Sequence, residues 1–207
     1  MLSTRLIAPS ASAERLDALI AARLAPGADR DAIDARIWDL FGETWAVMFT
    51  DLTGFSRRVA EFGIVHFLQI IRESLRLLIP VIEAHDGILL KVEGDSMLVI
   101  FRRADRAVDC ALAMRAATMA YDARAAAPER IGLCIGLGYG PVLRIGDQDV
   151  FGPEVNAASK LGEDTAKADE IVVTGAVMEA CAERDGLRWE RLDVLPPGAR
   201  TAYRLRG

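Results

Sequence analysis

Two aspartates stand where apolar runs give way to glycine turns. Asp51 follows the run Trp45 to Thr50 and precedes Leu52-Thr53-Gly54-Phe55-Ser56. Asp95 closes the segment Lys91-Val92-Glu93-Gly94-Asp95. An aspartate at a strand end can leave the ladder and reach a hard divalent cation. A pair of them on neighbouring strands offers the oxygen-donor site that magnesium uses when phosphate esters react. Taken singly, Asp51 also reads as a helix N-cap and Asp95 as a turn residue. The stretch Thr53-Gly54-Phe55-Ser56 leads into a helix start, where backbone N–H groups suit phosphate and Gly54 permits close approach.

These residues need a scaffold, and the hydrophobic pattern supplies one. Trp45 to Thr50 reads as a buried strand. Ser56 to about Ala84 reads as a helix, with Val65, Leu68, Ile71, Leu75, Leu78 and Ile82 at steps of three and four, interrupted or kinked near Pro80. Ile88 to Val92 and Met97 to Phe101 form a hairpin around Glu93-Gly94-Asp95. Ala104 to about Ala125 is an alanine-rich helix. Ile131 to Gly138 is a strand whose glycines imply close backbone approach. Val142 to Ile145 and Val150 to Phe151 flank a Gly146-Asp147 turn. Pro153 to Leu161 is helical, Glu170 to Val173 a strand and Gly175 to Ala182 a helix. Two strands close the chain, near Leu187 to Val194 and Ala202 to Leu205.

The order strand-helix-strand-strand-helix-strand is that of a split βαβ, ferredoxin-like α+β unit. That topology sets the first strand beside the hairpin and brings Asp51 and Asp95 to one end of the sheet. Residues 1–43 form a separate helical extension, with Leu16, Leu19, Ile20 and Leu24 on one helix and Ile33, Ile37, Leu40 and Phe41 on a second. Two short amphipathic helices must dock on something: packing against the main domain (residues 44–207) or a partner copy is the expectation, with a regulatory or dimerising arm as the alternative.

Composition narrows the function. The chain has 207 residues, is 52% hydrophobic and 27% charged, and carries a net charge of −5. It can bury a core, and it lacks the basic balance that duplex binding requires. No apolar run is long enough to span a bilayer, and the start lacks the apolar block of a signal peptide, so a cytoplasmic location is expected. Cys110, Cys134 and Cys181 are widely spaced and read as core residues rather than a disulfide or zinc framework.

Four ordered blocks carry a family resemblance. Phe49-Thr50-Asp51-Leu52-Thr53-Gly54-Phe55-Ser56, Lys91-Val92-Glu93-Gly94-Asp95, Gly136-Leu137-Gly138-Tyr139-Gly140-Pro141-Val142 and Asp149 to Lys160 together resemble the class III nucleotidyl cyclase catalytic domain. The resemblance implies a metal site at Asp51, Asp95 and the Leu52 carbonyl, holding two Mg²⁺ or Mn²⁺ ions. It implies triphosphate binding by Thr53, Gly54, Phe55 and Ser56, and base reading by Lys91 and Asp149. Asn156 would orient the ribose, and Lys160 would meet the α-phosphate. In adenylate-making members a lysine donates to adenine N1 and an aspartate accepts from the 6-amino group. Guanine presents the opposite pattern, so Lys91 and Asp149 point to ATP. The family's site is composite, so the resemblance implies a head-to-tail homodimer with two equivalent sites.

The chain departs from the family pattern in three places. Lys160 stands where an arginine is usual, keeping charge but losing the planar two-pronged donor. The segment Leu195-Pro196-Pro197-Gly198-Ala199-Arg200 has no triphosphate lysine, and Arg200 is the substitute at hand. Pro141 stands where some members place a phosphate-binding arginine, with Arg144 nearby. The sequence therefore reads as an adenylate cyclase. A cyclase of another base and a catalytically weak nucleotide-binding signalling module are alternatives. A polymerase-palm or diguanylate-type reading ranks last, since it leaves the block from Asp149 to Lys160 without a role.

Overall fold

A computed structural model describes residues 10–193, 195 and 199–206, excluding the side chains of residues 55–58. The helices are α1 (Ala11–Leu24), α2 (Arg30–Phe41), α3 (Phe55–Phe62), α4 (Ile64–Ala84), α5 (Ala104–Asp122), α6 (Pro153–Lys160) and α7 (Gly175–Ala180). The strands are β1 (Gly42–Leu52), β2 (Ile88–Glu93), β3 (Ser96–Phe101), β4 (Leu133–Ile145), β5 (Asp149–Phe151), β6 (Ile171–Thr174), β7 (Arg188–Arg191) and β8 (Ala202–Arg206). They form one sheet in the order β2-β3-β1-β4-β6-β8-β7, with β5 added to β4. The first four positions are the ferredoxin-like arrangement expected from the sequence. β1 lies antiparallel to both β3 and β4.

β1 reads as an unbroken apolar run because both of its faces are covered. Ala46 and Met48 point into the main core with α4, α5 and α7. Trp45 and Val47 point to the other side, with Leu98, Ile100, Val142, Val150 and Ala158. The cover on this second side is partial: α6 lies over β4, whereas Leu90 and Phe49 are only half-buried.

The glycines of β4 explain how α6 sits there. A Cβ on Gly136 would stand 2.1 Å from the Ala158 carbonyl oxygen, and one on Gly138 would stand 2.3 Å from that of Glu154. The helix rests on the strand through main-chain atoms. Gly138→Ala is expected to lower stability by about 2–3 kcal/mol and Tm by roughly 5–10 °C, because the contacted atom is backbone and cannot rotate away. Thermal unfolding followed by circular dichroism measures this, and a Tm within about 1 °C of wild type would contradict the seam.

Three expectations about the elements need correction. The helix drawn from Ser56 to Ala84 is two helices, broken at Gly63, whose φ of +85° suits glycine alone. α4 runs through Pro80 to Ala84, so the proline does not end the helix. β4 is continuous from Leu133 to Ile145 and carries Pro141, where its ladder partner is Thr44 of β1 and neither β5 nor β6 reaches it. The last strands are short, and Val194 lies outside the described residues.

The N-terminal helices fold back as a hairpin. Leu19, Ile37 and Phe41 form a small core with Ile145 of β4, and Arg23 binds Asp34 bidentately at 2.5 and 2.9 Å. The hairpin docks on the main domain through Leu19, Ile37 and Phe41, whereas Ile20, Leu24 and Leu40 of the same pattern stay exposed.

Candidate active site

The end of β1 and the β2–β3 turn bring Asp51 and Asp95 together. The Leu52 backbone lowers both carboxyls and so lies beside each of them, against the larger upward effect of burial. Ser96 Oγ donates to Asp51 Oδ1 at 3.3 Å. Burial pushes the Asp51 carboxyl up to about 6, with further contributions from the neighbouring Asp95 and from Glu163. Burial also raises Asp95. Two partly desolvated carboxylates side by side could hold a cation, because the ionised pair is costly until a positive charge joins it. The sign follows: Asp51 binds its proton more tightly folded than unfolded. The cation-free chain therefore loses this stabilisation as pH rises from about 4, the ordinary carboxylate value, to about 6.

The donor set is hard oxygen. Cys134 is the ladder partner of Asp51, but its thiol donates to the Ala166 carbonyl and is pushed up to about 12, mainly by burial. It stays protonated and offers no thiolate. All three cysteines are buried and free. Among the described residues no three His, Cys, Asp or Glu side chains group as a metal cage. Two carboxylates alone suit Mg²⁺ or Mn²⁺, ions that complete their shell with water and substrate phosphates.

Asp51 does not cap a helix. The N-cap of α3 is Gly54, in the left-handed region at φ +81° and with no side-chain hydrogen bond. The start of α3 therefore presents its backbone, as phosphate binding would need. Thr53 is committed elsewhere: its N–H and its hydroxyl both donate to the Gly132 carbonyl, at 3.0 and 3.1 Å. Asp122 in turn accepts the Ile131 and Gly132 N–H groups at 2.7 and 3.2 Å. Thr53 thus anchors the loop beside β4, while Gly54 and the first turn of α3 keep backbone N–H groups without a side-chain cap. The Phe55 and Ser56 side chains lie outside the described residues.

Lys91 and Asp149 meet. Lys91 Nζ donates to Asp149 Oδ2 at 2.5 Å, joining β2 to β5 across the partly covered face, and the Val150 N–H holds Asp149 Oδ1 at 2.9 Å. The pair borders a cavity of about 230 Å³ that also touches Phe49, Ser96 and Glu163. A bulge between Leu89 and Lys91 turns Lys91 onto this face, opposite Leu98.

Asn156 and Lys160 lie one turn apart on α6, outside this cavity, while Ala157 and Ala158 between them are buried against the sheet. Lys160 pairs with Asp164 at 3.0 Å. Arg144 points away from the site: it lies 4.6 Å from the Trp45 ring centre and bonds Gly146 and Asp147. Arg200 lines a different cavity, with Trp38, Tyr139 and Glu154. Pro196, Pro197 and Gly198 lie outside the described residues.

Two residues escaped the sequence reading. Ser96 could have been found, since it directly follows Asp95 in a strand beside β1. Glu163 gave no signal, because it sits on a π-helical turn (Leu161–Thr165) whose direction no local rule fixes.

Comparison with known proteins matches this geometry to one group. The sequence profile of the adenylate and guanylate cyclase catalytic domain covers residues 42–196. A putative adenylate cyclase 3 of Rhizobium meliloti is 30% identical over 135 residues, covering 65% of this chain and 22% of that protein. An adenylate cyclase of Streptomyces coelicolor is 31% identical over 160 residues, covering 77% of this chain and 38% of its own length. The chain thus spans well under half the length of these curated relatives. Among solved structures, an adenylate/guanylate cyclase/hydrolase from Silicibacter pomeroyi superposes with TM-score 0.70 at 25% identity, over 80% of this chain and 98% of that one. The adenylyl cyclase CyaB from P. aeruginosa shares the fold with TM-score 0.66 at 20% identity, over 80% and 95% of the two chains. No described helix is long and apolar enough to cross a membrane. With its profile match, its sheet order and its converging aspartates, the chain belongs to the adenylate and guanylate cyclase catalytic domain family.

Proposed function

We propose that the protein is an adenylate cyclase that converts ATP to 3′,5′-cyclic AMP and pyrophosphate. The observation that carries this reading is the Lys91–Asp149 pair. It holds a cationic donor and a carboxylate acceptor together at 2.5 Å beside a cavity of about 230 Å³. Adenine offers an acceptor at N1 and a donor at its 6-amino group, so it can insert between the two and satisfy both. Guanine would leave both unmatched in a partly dry site, a mismatch that polar pockets punish heavily.

Asp51, Asp95 and the Leu52 carbonyl would hold two Mg²⁺ or Mn²⁺ ions, which when bound supply Lewis-acid activation of the 3′-hydroxyl and charge neutralisation of the triphosphate. The chain's own groups do the positioning. Gly54 and the first turn of α3 face the phosphates, Asn156 orients the ribose, and Lys160 contributes charge at the α-phosphate. The 3′-oxygen bonds to the α-phosphorus as the bond to the bridging oxygen breaks, and pyrophosphate leaves. In a head-to-tail homodimer the aspartates of one copy would face Lys91, Asp149 and Asn156 of the other. The incompletely covered sheet side at β2 and β1 supports such a partner.

The test is a purified-protein assay with ATP, GTP, CTP and UTP in turn in Mn²⁺, with cyclic products identified by mass. Cyclic AMP as the dominant product is expected. A dominant product from another triphosphate would overturn the base assignment. A nucleotide-binding module of slow turnover is the second reading, favoured by the Lys160–Asp164 pair, which ties the α-phosphate cation to the π-turn that follows its helix. Tight ATP binding without product would select it. Lys160→Arg is expected to raise kcat about tenfold with KM within about twofold, because the planar fork acts on the transition state. Steady-state kinetics in Mn²⁺ decide this, and an unchanged kcat would remove the α-phosphate role.

A further inference from the structure

We propose that the N-terminal helical hairpin is a positioning element for Asp149 and thereby sets base selectivity; this rests on the base-reading role of Asp149. Asp149 opens β5, a strand of three residues that among the described residues pairs with Leu143–Ile145 of β4 alone. So short a strand does not fix a side chain by itself. The support comes from the hairpin. Ile145 is buried in the seam with Leu19, Ile37 and Phe41. Ser10 Oγ, which also caps α1 by accepting the Ala13 N–H, donates to Gln148 Oε1 at 3.2 Å. Ser12 packs against Gly146, lying 3.7 Å from where a Cβ would stand. Three of the four residues between Leu143–Arg144 and Asp149 therefore touch α1 or its seam, and the fourth, Asp147, is taken by Arg144 at 2.7 Å.

The same helix reaches the base-reading pair from behind. Ala13, Leu16 and Asp17 of α1 share a cleft of about 360 Å³ with Lys91 and Asp149. The ion pair thus stands as a partition, with the base cavity on one side and α1 on the other. Release of the hairpin frees the β4–β5 turn, and the carboxylate loses its fixed distance from Lys91. The base is then read less strictly while the aspartate pair and α6 keep their places.

The experiment uses the full chain and measures kcat and KM for ATP and GTP in Mn²⁺. Ile37→Asp, which breaks the buried seam, is expected to raise KM for ATP about tenfold and to lower the ATP-to-GTP ratio of kcat/KM about tenfold, with kcat within about threefold. Ser10→Ala, which leaves the seam intact, is expected to move both quantities the same way by about twofold. Leu24→Ala, at a position 72% exposed on the same helix, is the control and should change neither. Wild-type KM and base ratio in a folded Ile37→Asp protein would overturn the proposal, as would a fall in kcat with the ratio preserved. If Ile37→Asp does not fold, Ser10→Ala decides: an unmoved ratio overturns the proposal. Asp149→Asn is run alongside. If it leaves the ratio unmoved, base reading by Asp149 itself fails. If it moves the ratio while the hairpin variants do not, only the positioning role is lost.

Discussion

Asp51→Ala is expected to lose about 10³-fold or more in kcat, and a mixture with Asn156→Ala chains to recover about one quarter of wild-type activity. The first figure follows from removing one of the two carboxylates proposed to hold the catalytic cations. The second follows from counting. Random pairing puts about half of the dimers in mixed form, and each mixed dimer has one intact site out of two. Folding is separable from catalysis here. Burial raises the Asp51 carboxyl to about 6, so its ionised form is a cost to the cation-free chain. The variant should melt no lower than wild type near neutral pH. An inactive protein with an unchanged or raised Tm locates the defect in chemistry. Failure to recover activity in dimers verified as mixed would sink the shared site and leave the aspartates' role standing.

A second large effect is expected at the base. Lys91→Glu combined with Asp149→Cys replaces the adenine complement by the residues that guanylate-making members often carry. The ATP-to-GTP ratio of kcat/KM should fall by at least about 10³-fold, since buried polar groups that lose their partner discriminate far more than missing methylenes. The single change Asp149→Asn should weaken ATP, because Lys91 loses its charged partner, without creating GTP use, because Lys91 still presents a donor to the protonated N1 of guanine. Competition between the two triphosphates, with products separated by mass, reads the ratio directly. A ratio that stays near the wild-type value would mean that Lys91 and Asp149 are only an ion pair on the sheet surface.

Much of this site was legible because local and global signals agreed. β1 announced itself by an apolar run covered on both sides. The β2–β3 turn did so by Glu93-Gly94-Asp95, and Gly94 adopts the left-handed φ of +61°. The glycines at 136 and 138 spoke for a close main-chain neighbour, and α6 is that neighbour. The misreadings arose where one residue carries two signals. Gly63 breaks a helix whose apolar period runs on past it. Pro141 reads as a strand breaker but lies where β4 needs a partner on one side only. Thr53 looks like a phosphate ligand, yet Gly132 claims both of its donors, a contact between residues 79 apart in sequence. Glu163 is brought to the site by the path of a π-turn, which follows from packing rather than from composition.

The main-chain seam between β4 and α6 also limits how this domain can move. A helix seated on side chains can slide by a methyl's width as rotamers exchange. One seated on peptide groups has no such cushion, because the spacing is set by covalent geometry and hard-sphere contact. Asn156 and Lys160 therefore ride on a rigid platform. Any closing motion around a nucleotide has to arise elsewhere in the molecule, with α6 as the fixed wall against which it closes.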